Sequence, residues 1–247
     1  MKTKIDTGEF KILLLDIETK PHLGYVWQKY DQNVIAFKEY GSLLSYSYKW
    51  LGEDKVYAVG LNTKTPRQLI HSLYCLFNEA EIIIAHNGDS FDIKMANQYF
   101  IREGFNPPHT YKTIDTKKLA KEKFRFVSNK LDDLGDYLGL GRKVQTGGFE
   151  LWLGCMKNEK ASWKLMLDYN KQDVLLLEKV YMRLRPWCKH PNLNLNKGIN
   201  KCPVCQSNKL QSRGFQFNAT NKYHRYQCME CGKWSRGDVE KIGVIIK

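Results

Sequence analysis

The sequence predicts an α/β domain, a mixed sheet flanked by helices, followed by a small cysteine-rich module at the C-terminus. Two observations predict it. Short apolar runs alternate with stretches of helical periodicity through the first three quarters of the chain, and four of the seven cysteines stand in two CxxC pairs near its end.

The first element is Lys11-Ile-Leu-Leu-Leu15, an apolar run closed by polar residues, as in a strand buried on both faces. Ser42–Trp50 and Lys55–Leu61 are rich in aromatic and β-branched residues, and Gly52-Glu-Asp turns the chain between them. The three segments are expected to form a meander. A helix opens at Thr65-Pro66 and runs to about Glu79, with Leu69, Ile70, Leu73, Leu76 and Phe77 on one face. A strand over Glu81–Ala85 follows, then a helix over Asp92–Glu103 that Gly104 stops.

Tyr111–Ile114 reads as a short strand, and Thr116–Lys123 and Leu131–Leu138 as helices. The last long periodic stretch, Ala161–Leu184, places Leu165, Tyr169, Val174, Leu177 and Val180 near one face before Pro186 ends it. Residues 189–200 are polar and irregular and are predicted to link a domain of residues 1–188 to a module of residues 201–247. The order β-β-β-α-β-α-β-α-α suits a mixed sheet and excludes a TIM barrel.

Hydrophobic residues make up 43% and aromatics 13% of the 247, which argues against disorder. The apolar runs are far short of the ~18 to 20 residues that span a bilayer. The N-terminus has no hydrophobic stretch of a signal peptide, so a cytoplasmic protein without a membrane partner is expected. An odd cysteine count with paired CxxC units favours metal over disulfides. The net charge is +13, and residues 187–247 carry eleven Lys/Arg against three Asp/Glu, so +8 sits in the last quarter. A compact basic tail is the footprint of a polyanion partner, although a merely solvated surface looks the same by charge.

Three fragments carry chemistry. Asp16 and Glu18 follow the first strand at i and i+2, so they share a face at its C-terminal end, where sites gather in open α/β sheets. Two such carboxylates repel unless a cation neutralises them. His86-Asn-Gly-Asp-Ser-Phe-Asp92 follows a second buried strand. Tyr169 and Asp173, at i and i+4, share one face of the last helix.

In this order the fragments resemble the DEDD exonucleases of ribonuclease H-like fold. The similarity is to the tyrosine branch, which includes the proofreading domains of family B DNA polymerases. It rests on Asp16 and Glu18, on Asn87, Phe91 and Asp92, and on Tyr169 and Asp173, with support from Ser128–Leu134, and covers roughly residues 10–187. The histidine branch would have its histidine where this chain has Asp168. The resemblance implies 3′-to-5′ hydrolysis of phosphodiester bonds in single-stranded or frayed DNA with two Mg2+ (or Mn2+). Metals ~3.5 to 4 Å apart serve the attacking water and the leaving oxygen. Asp16, Glu18, Asp92 and Asp173 are the expected ligands, Asp16 bridging, with Tyr169 orienting the water as a protonated phenol. Asn87, Phe91 and Thr19 are expected on the terminal nucleotide. Asp89 is left as an alternative to Asp92, Asp115 reads as a helix cap, and His86 as a buried or substrate-edge histidine.

Cys202, Cys205, Cys228 and Cys231 form C-x2-C pairs 22 residues apart, the spacing of one structural Zn2+, and the module resembles a zinc ribbon. So short a module buries too little apolar surface to fold without such a staple. Gly214–Asn218 and Tyr223–Gln227 alternate like hairpin strands. Phe215, Phe217 and Tyr226 read as the module's core, and Arg225, Lys233 and Arg236 as contacts to nucleic acid. Cys75, Cys155 and Cys188 read as buried thiols. DNA is the favoured partner and RNA remains open, as do an exoribonuclease or structure-selective nuclease on the same fold and, in a different class, a non-catalytic zinc-ribbon protein that only binds nucleic acid. Replication or repair partners, if any, are not legible.

Overall fold

A computed structural model describes residues 10–188, 201–218 and 221–240, the last three by backbone alone. The predicted linker at 189–200 lies outside the described residues. The chain divides into two compact units, one of Lys11–Tyr181 and a second that begins at Met182. Among the described residues no helix is long and apolar enough to cross a membrane.

The first unit runs β1 (Ile12–Thr19), β2 (Leu23–Tyr25), β3 (Ala36–Glu39), β4 (Leu43–Trp50), β5 (Tyr57–Gly60), α1 (Pro66–Glu79), β6 (Ile82–Ala85) and α2 (Asp92–Arg102). It continues through β7 (Lys112–Asp115), α3 (Thr116–Lys123), α4 (Leu131–Tyr137), α5 (Phe149–Met156) and α6 (Lys160–Leu184), whose last turn belongs to the second unit. Five strands form one mixed sheet in the order β5-β4-β1-β6-β7. The β1-β4 and β4-β5 pairs are antiparallel, the meander of the sequence, while β6 and β7 add parallel strands.

Alternation along β1 decides the layout. Leu13, Leu15 and Ile17 pack into one core with Leu69, Leu73 and Phe77 of α1 and Ala96, Tyr99 and Phe100 of α2. Asp16 and Glu18 therefore face the other side of the sheet. The opposite residues on β4 are Ser47 and Ser45, both buried and small enough to leave room above them. Thr65 caps α1 in a reciprocal capping box with Gln68, which fixes where the helix starts.

Buried positions on α6 recur as Trp163, Met166, Asn170, Asp173, Val174, Leu177, Val180 and Tyr181, a helical stripe. Leu165, expected on that face, is 38% exposed because it sits a quarter turn away. Asn170 and Asp173 are polar residues inside an apolar stripe.

The structure adds a hairpin, a helix and a further strand to the sequence reading. The β2-β3 hairpin is too short and glycine-containing to show periodicity. Helix α5 follows Gly147 and Gly148, both at positive φ, and its own Gly154 lowers helix propensity. The second unit forms a three-stranded antiparallel sheet, β8 (Leu210–Phe217), β9 (Lys222–Cys228) and β10 (Trp234–Glu240), one strand more than the expected hairpin. With its four-cysteine cluster it is consistent with a zinc ribbon. Phe215 and Phe217 are 37% and 66% exposed, not core: among the described residues the three-stranded sheet has no second layer to cover them. Cys155 and Cys188 are buried as expected, but Cys75 is exposed, lying on the outward side of α1 beside His71.

Candidate active site and metal centres

β1 delivers Asp16 and Glu18, α2 begins at Asp92, and α6 brings Asp173 over the sheet. Carboxylate oxygens of Asp16, Glu18 and Asp173 lie within 4.8 Å of one another. Asp92 joins them through the backbone: its Oδ1 accepts from the Ile17 N–H at 3.0 Å, between the two acids of β1. Asp92 and Asp173 are buried, Asp16 and Glu18 half-buried.

Four acids so placed oppose one another's ionisation. Burial, then Glu18, Asp173 and Asp92, push the Asp16 carboxyl well above the usual carboxylate range. Burial, with help from Asp173, raises Glu18 to about 7, and burial raises Asp92 to about 7 against the Ile17 N–H. Asp173 is raised by burial, against the pull of Lys143. Its buried Oδ1 has no hydrogen-bond partner. Hard divalent cations take such oxygens, and both the orphaned oxygen and the mutual repulsion fit one.

Tyr169 stands one turn before Asp173, and its phenol is pushed up by burial and then by Asp173 and Glu18, so the hydroxyl keeps its proton. Asp89 is elsewhere engaged: Lys118 Nζ holds its Oδ2 at 2.7 Å. Asn87 follows β6 with φ at 68°, and its N–H donates to Asp115 Oδ1 at 2.9 Å. That carboxylate also accepts from the Lys117 and Lys118 N–H groups and caps α3, as expected. Phe91 precedes α2 and is 39% exposed, and Thr19 closes β1.

Two residues at this centre escaped the sequence reading. Lys143 reaches in from the glycine-rich segment before α5, its Nζ 2.6 Å from Asp173 Oδ2 and 3.3 Å from the Tyr169 hydroxyl. Burial opposes its charge, but Asp173, Asp16 and Glu18 outweigh burial and hold its pKa above the ordinary value. Asn170 is fully buried, hydrogen-bonded to Ser45 Oγ at 3.2 Å, and donates to both the Asp16 carboxylate and the Asp16 carbonyl. It locks α6 to β1 at the acids. The only local signal for it was its place beside Tyr169.

His86 bonds on both ring nitrogens, to the Thr116 hydroxyl and the Asn129 carbonyl, each at 2.9 Å. Burial pushes its imidazole down to about 4 despite that carbonyl. The folded value lies below the ordinary ~6.5, so the unfolded chain binds the proton more readily and stability falls as pH drops from about 6.5 toward 4. The difference in urea unfolding free energy between the protein and His86→Gln is expected to shrink by about 2 kcal/mol from pH 7 to 5. A pH-independent difference would mean that His86 takes up its proton as readily in the fold as in the unfolded chain.

In the second unit the sulfurs of Cys202 and Cys231, and those of Cys205 and Cys228, are 3.6 Å apart, and all four lie within 4.8 Å. Four thiolates at 2.3 Å from one ion form a tetrahedron with edges of about 3.8 Å. Arg225 donates twice to the Arg213 carbonyl and lies over Trp234, Arg236 lies over Tyr223, and Lys233 Nζ donates to the Cys188 carbonyl.

A mixed sheet that brings Asp16, Glu18 and Asp173 within 4.8 Å of one another, with Asp92 bonded to the backbone between the first two, makes an α/β domain with an acidic centre that could hold metal. The RNase_H_2 family, of the RNase_H superfamily, matches residues 48–185, more than half of the chain, and the chain belongs to that superfamily. The match takes in Asp92, Tyr169 and Asp173 but begins after Asp16 and Glu18. No curated protein matches. Among solved structures the chain is similar to the family B DNA polymerase from the hyperthermophilic archaeon Pyrobaculum calidifontis, at 15% identity and a TM-score of 0.49. That likeness covers 72% of this chain and 26% of the polymerase.

Proposed function

We propose that the protein is a metal-dependent 3′-to-5′ exonuclease that hydrolyses single-stranded or frayed DNA. The convergence of Asp16, Glu18, Asp92 and Asp173 carries this reading, because four clustered carboxylates repel phosphate unless cations stand between them. Two Mg2+ or Mn2+ ions, when bound, would supply a metal-activated water and stabilise the leaving oxygen.

The chain's own residues do the rest. Asp16, Glu18, Asp92 and Asp173 hold the ions, and Asn170 fixes the rotamer of Asp16. Tyr169, protonated, orients the attacking water through its hydroxyl. Lys143, against Asp173 and Tyr169, offsets the acids' charge and offers a cation to a phosphate oxygen. Asn87, Phe91 and Thr19 position the terminal nucleotide, Phe91 by its exposed ring. The second unit holds one structural Zn2+ in its four cysteines, and Arg225, Lys233 and Arg236 add phosphate contacts.

A 5′-labelled single-stranded DNA incubated with Mg2+ should shorten one nucleotide at a time from its 3′ end and release mononucleotides. Internal cuts would point to an endonuclease, and equal degradation of the RNA strand would remove the preference for DNA. Tyr169→Phe is expected to slow hydrolysis by about 10^2-fold, the scale of one lost proton or water contact, with Mn2+ affinity kept. An unaltered rate would remove Tyr169 from the mechanism.

A further inference from the structure

Residues 20–41 form an arm that leaves the five-stranded sheet at the end of β1, two residues after Glu18, and returns into β4, where Ser45 lies opposite Glu18. Its root is tied. The Lys20 N–H donates to the Ser42 carbonyl at 2.7 Å, the Gly41 N–H to His22 Nδ1 at 2.9 Å, and Lys20 pairs with Glu39. A Cβ on Gly41 would stand 2.3 Å from the Lys20 carbonyl oxygen, so only glycine lets the two legs meet. Higher up, β2 pairs with β3, and the Val34 side chain folds across Gly24, where a Cβ would be 2.4 Å away.

This tied arm presents rings to water. Trp27 is 88% exposed, Tyr30 70%, Tyr40 69% and Tyr25 57%. Exposed rings at this density mark a surface that something covers. We infer that the arm is a stacking surface for unpaired bases of the nucleic-acid strand whose 3′ end enters the acidic centre, an inference that rests on the nuclease reading above.

Three features favour bases over a protein. The arm is continuous with the strand that carries Asp16 and Glu18, so a strand ending there has bases within its reach. Lysines interleave with the rings: Lys29 Nζ stands 5.2 Å over the Tyr30 ring, and Lys38 lies beside Phe37 in β3. The acids in the segment are Asp31 and Glu39, the latter tied to Lys20, in a chain of net charge +13. Flat faces with nearby cations match what single strands offer in every sequence, a base face and a phosphate.

The test uses the full-length protein in magnesium-free buffer with a fluorescein-labelled oligo(dT), read by anisotropy. Trp27→Ala with Tyr30→Ala should weaken binding by on the order of tenfold for each ring, with the salt dependence unchanged because no phosphate contact is lost. Trp27→Phe with Tyr30→Phe should restore most of the affinity. On the unaltered protein, photo-crosslinking with a 5-iodouracil oligonucleotide should place adducts within residues 25–40. Adducts confined to other residues overturn the inference whatever the affinities, as does an alanine pair that binds oligo(dT) as tightly as the original. If sedimentation shows self-association that the alanine pair abolishes, with oligo(dT) affinity intact, the rings are a contact between copies and the inference fails. Failure of the nuclease reading would look different: oligo(dT) bound through the arm, and no hydrolysis when magnesium is added.

Discussion

Asp16→Ala is expected to leave a folded protein whose hydrolysis of single-stranded DNA falls by on the order of 10^3-fold or more, measured as mononucleotide release under saturating Mg2+. The size follows from position. Asp16 has Glu18 and Asp173 within 4.8 Å and is gripped by Asn170, so an ion held by this group would be expected to use its carboxylate. Removing it deletes a ligand and frees Asn170 at once. Stability should move the other way. Burial and its three acidic neighbours hold the Asp16 carboxyl well above its ordinary range, so the metal-free fold is relieved of a buried, unfavourably placed acid in the variant. A variant that melts no lower than the original yet hydrolyses nothing separates chemistry from folding. One that retains a tenth of the activity would place the reaction elsewhere.

The second large effect concerns the cysteine quartet. Metal analysis should find one zinc per chain, and Cys228→Ser or a strong chelator should unfold residues 201–240 while leaving the acidic unit's melting transition in place. Apparent binding free energies of about 10 to 16 kcal/mol for structural zinc exceed anything so small a sheet gains from its apolar contacts. Among the described residues of the sheet and its knuckles, the buried apolar side chains amount to Val204 packed among the cysteines, with Leu210 half-buried beside them, while Phe215 and Phe217 face water. Without metal the Cys202 thiol is held well below its ordinary value by hydrogen bonds from Cys205 and Cys231, whose own thiols those bonds push up. Limited proteolysis reads the outcome: rapid cleavage after chelation is expected, and resistance equal to that of the untreated protein would make the cluster a bystander.

What could be read from the sequence was local. Ile12–Leu15 is a buried strand on composition alone, and the i, i+2 spacing places Asp16 and Glu18 on one face without any coordinates. Helix α1 announces itself by a cap, a proline and five apolar residues in register. The third carboxylate motif works the same way, since Tyr169 and Asp173 are one helical turn apart. What could not be read was made by contacts between distant segments. Lys143 belongs to a stretch with no periodicity and acquires its role from Asp173, 30 residues on. Asn170 matters because Ser45, 125 residues before it, and Asp16, 154 before it, are brought beneath α6 by strand pairing. The ribbon's rings were misjudged for the opposite reason: alternation predicts which residues share a face, but not whether a second layer exists to cover that face.

The most direct test is a Mn2+ titration of the zinc-loaded, magnesium-free protein, followed by electron paramagnetic resonance of the free ion. Two bound Mn2+ per chain are predicted, both displaced by excess Mg2+ and both weakened by Asp16→Ala or Asp173→Ala. Absence of binding, or binding indifferent to those two substitutions, would contradict the claim that these carboxylates form the protein's divalent-ion centre.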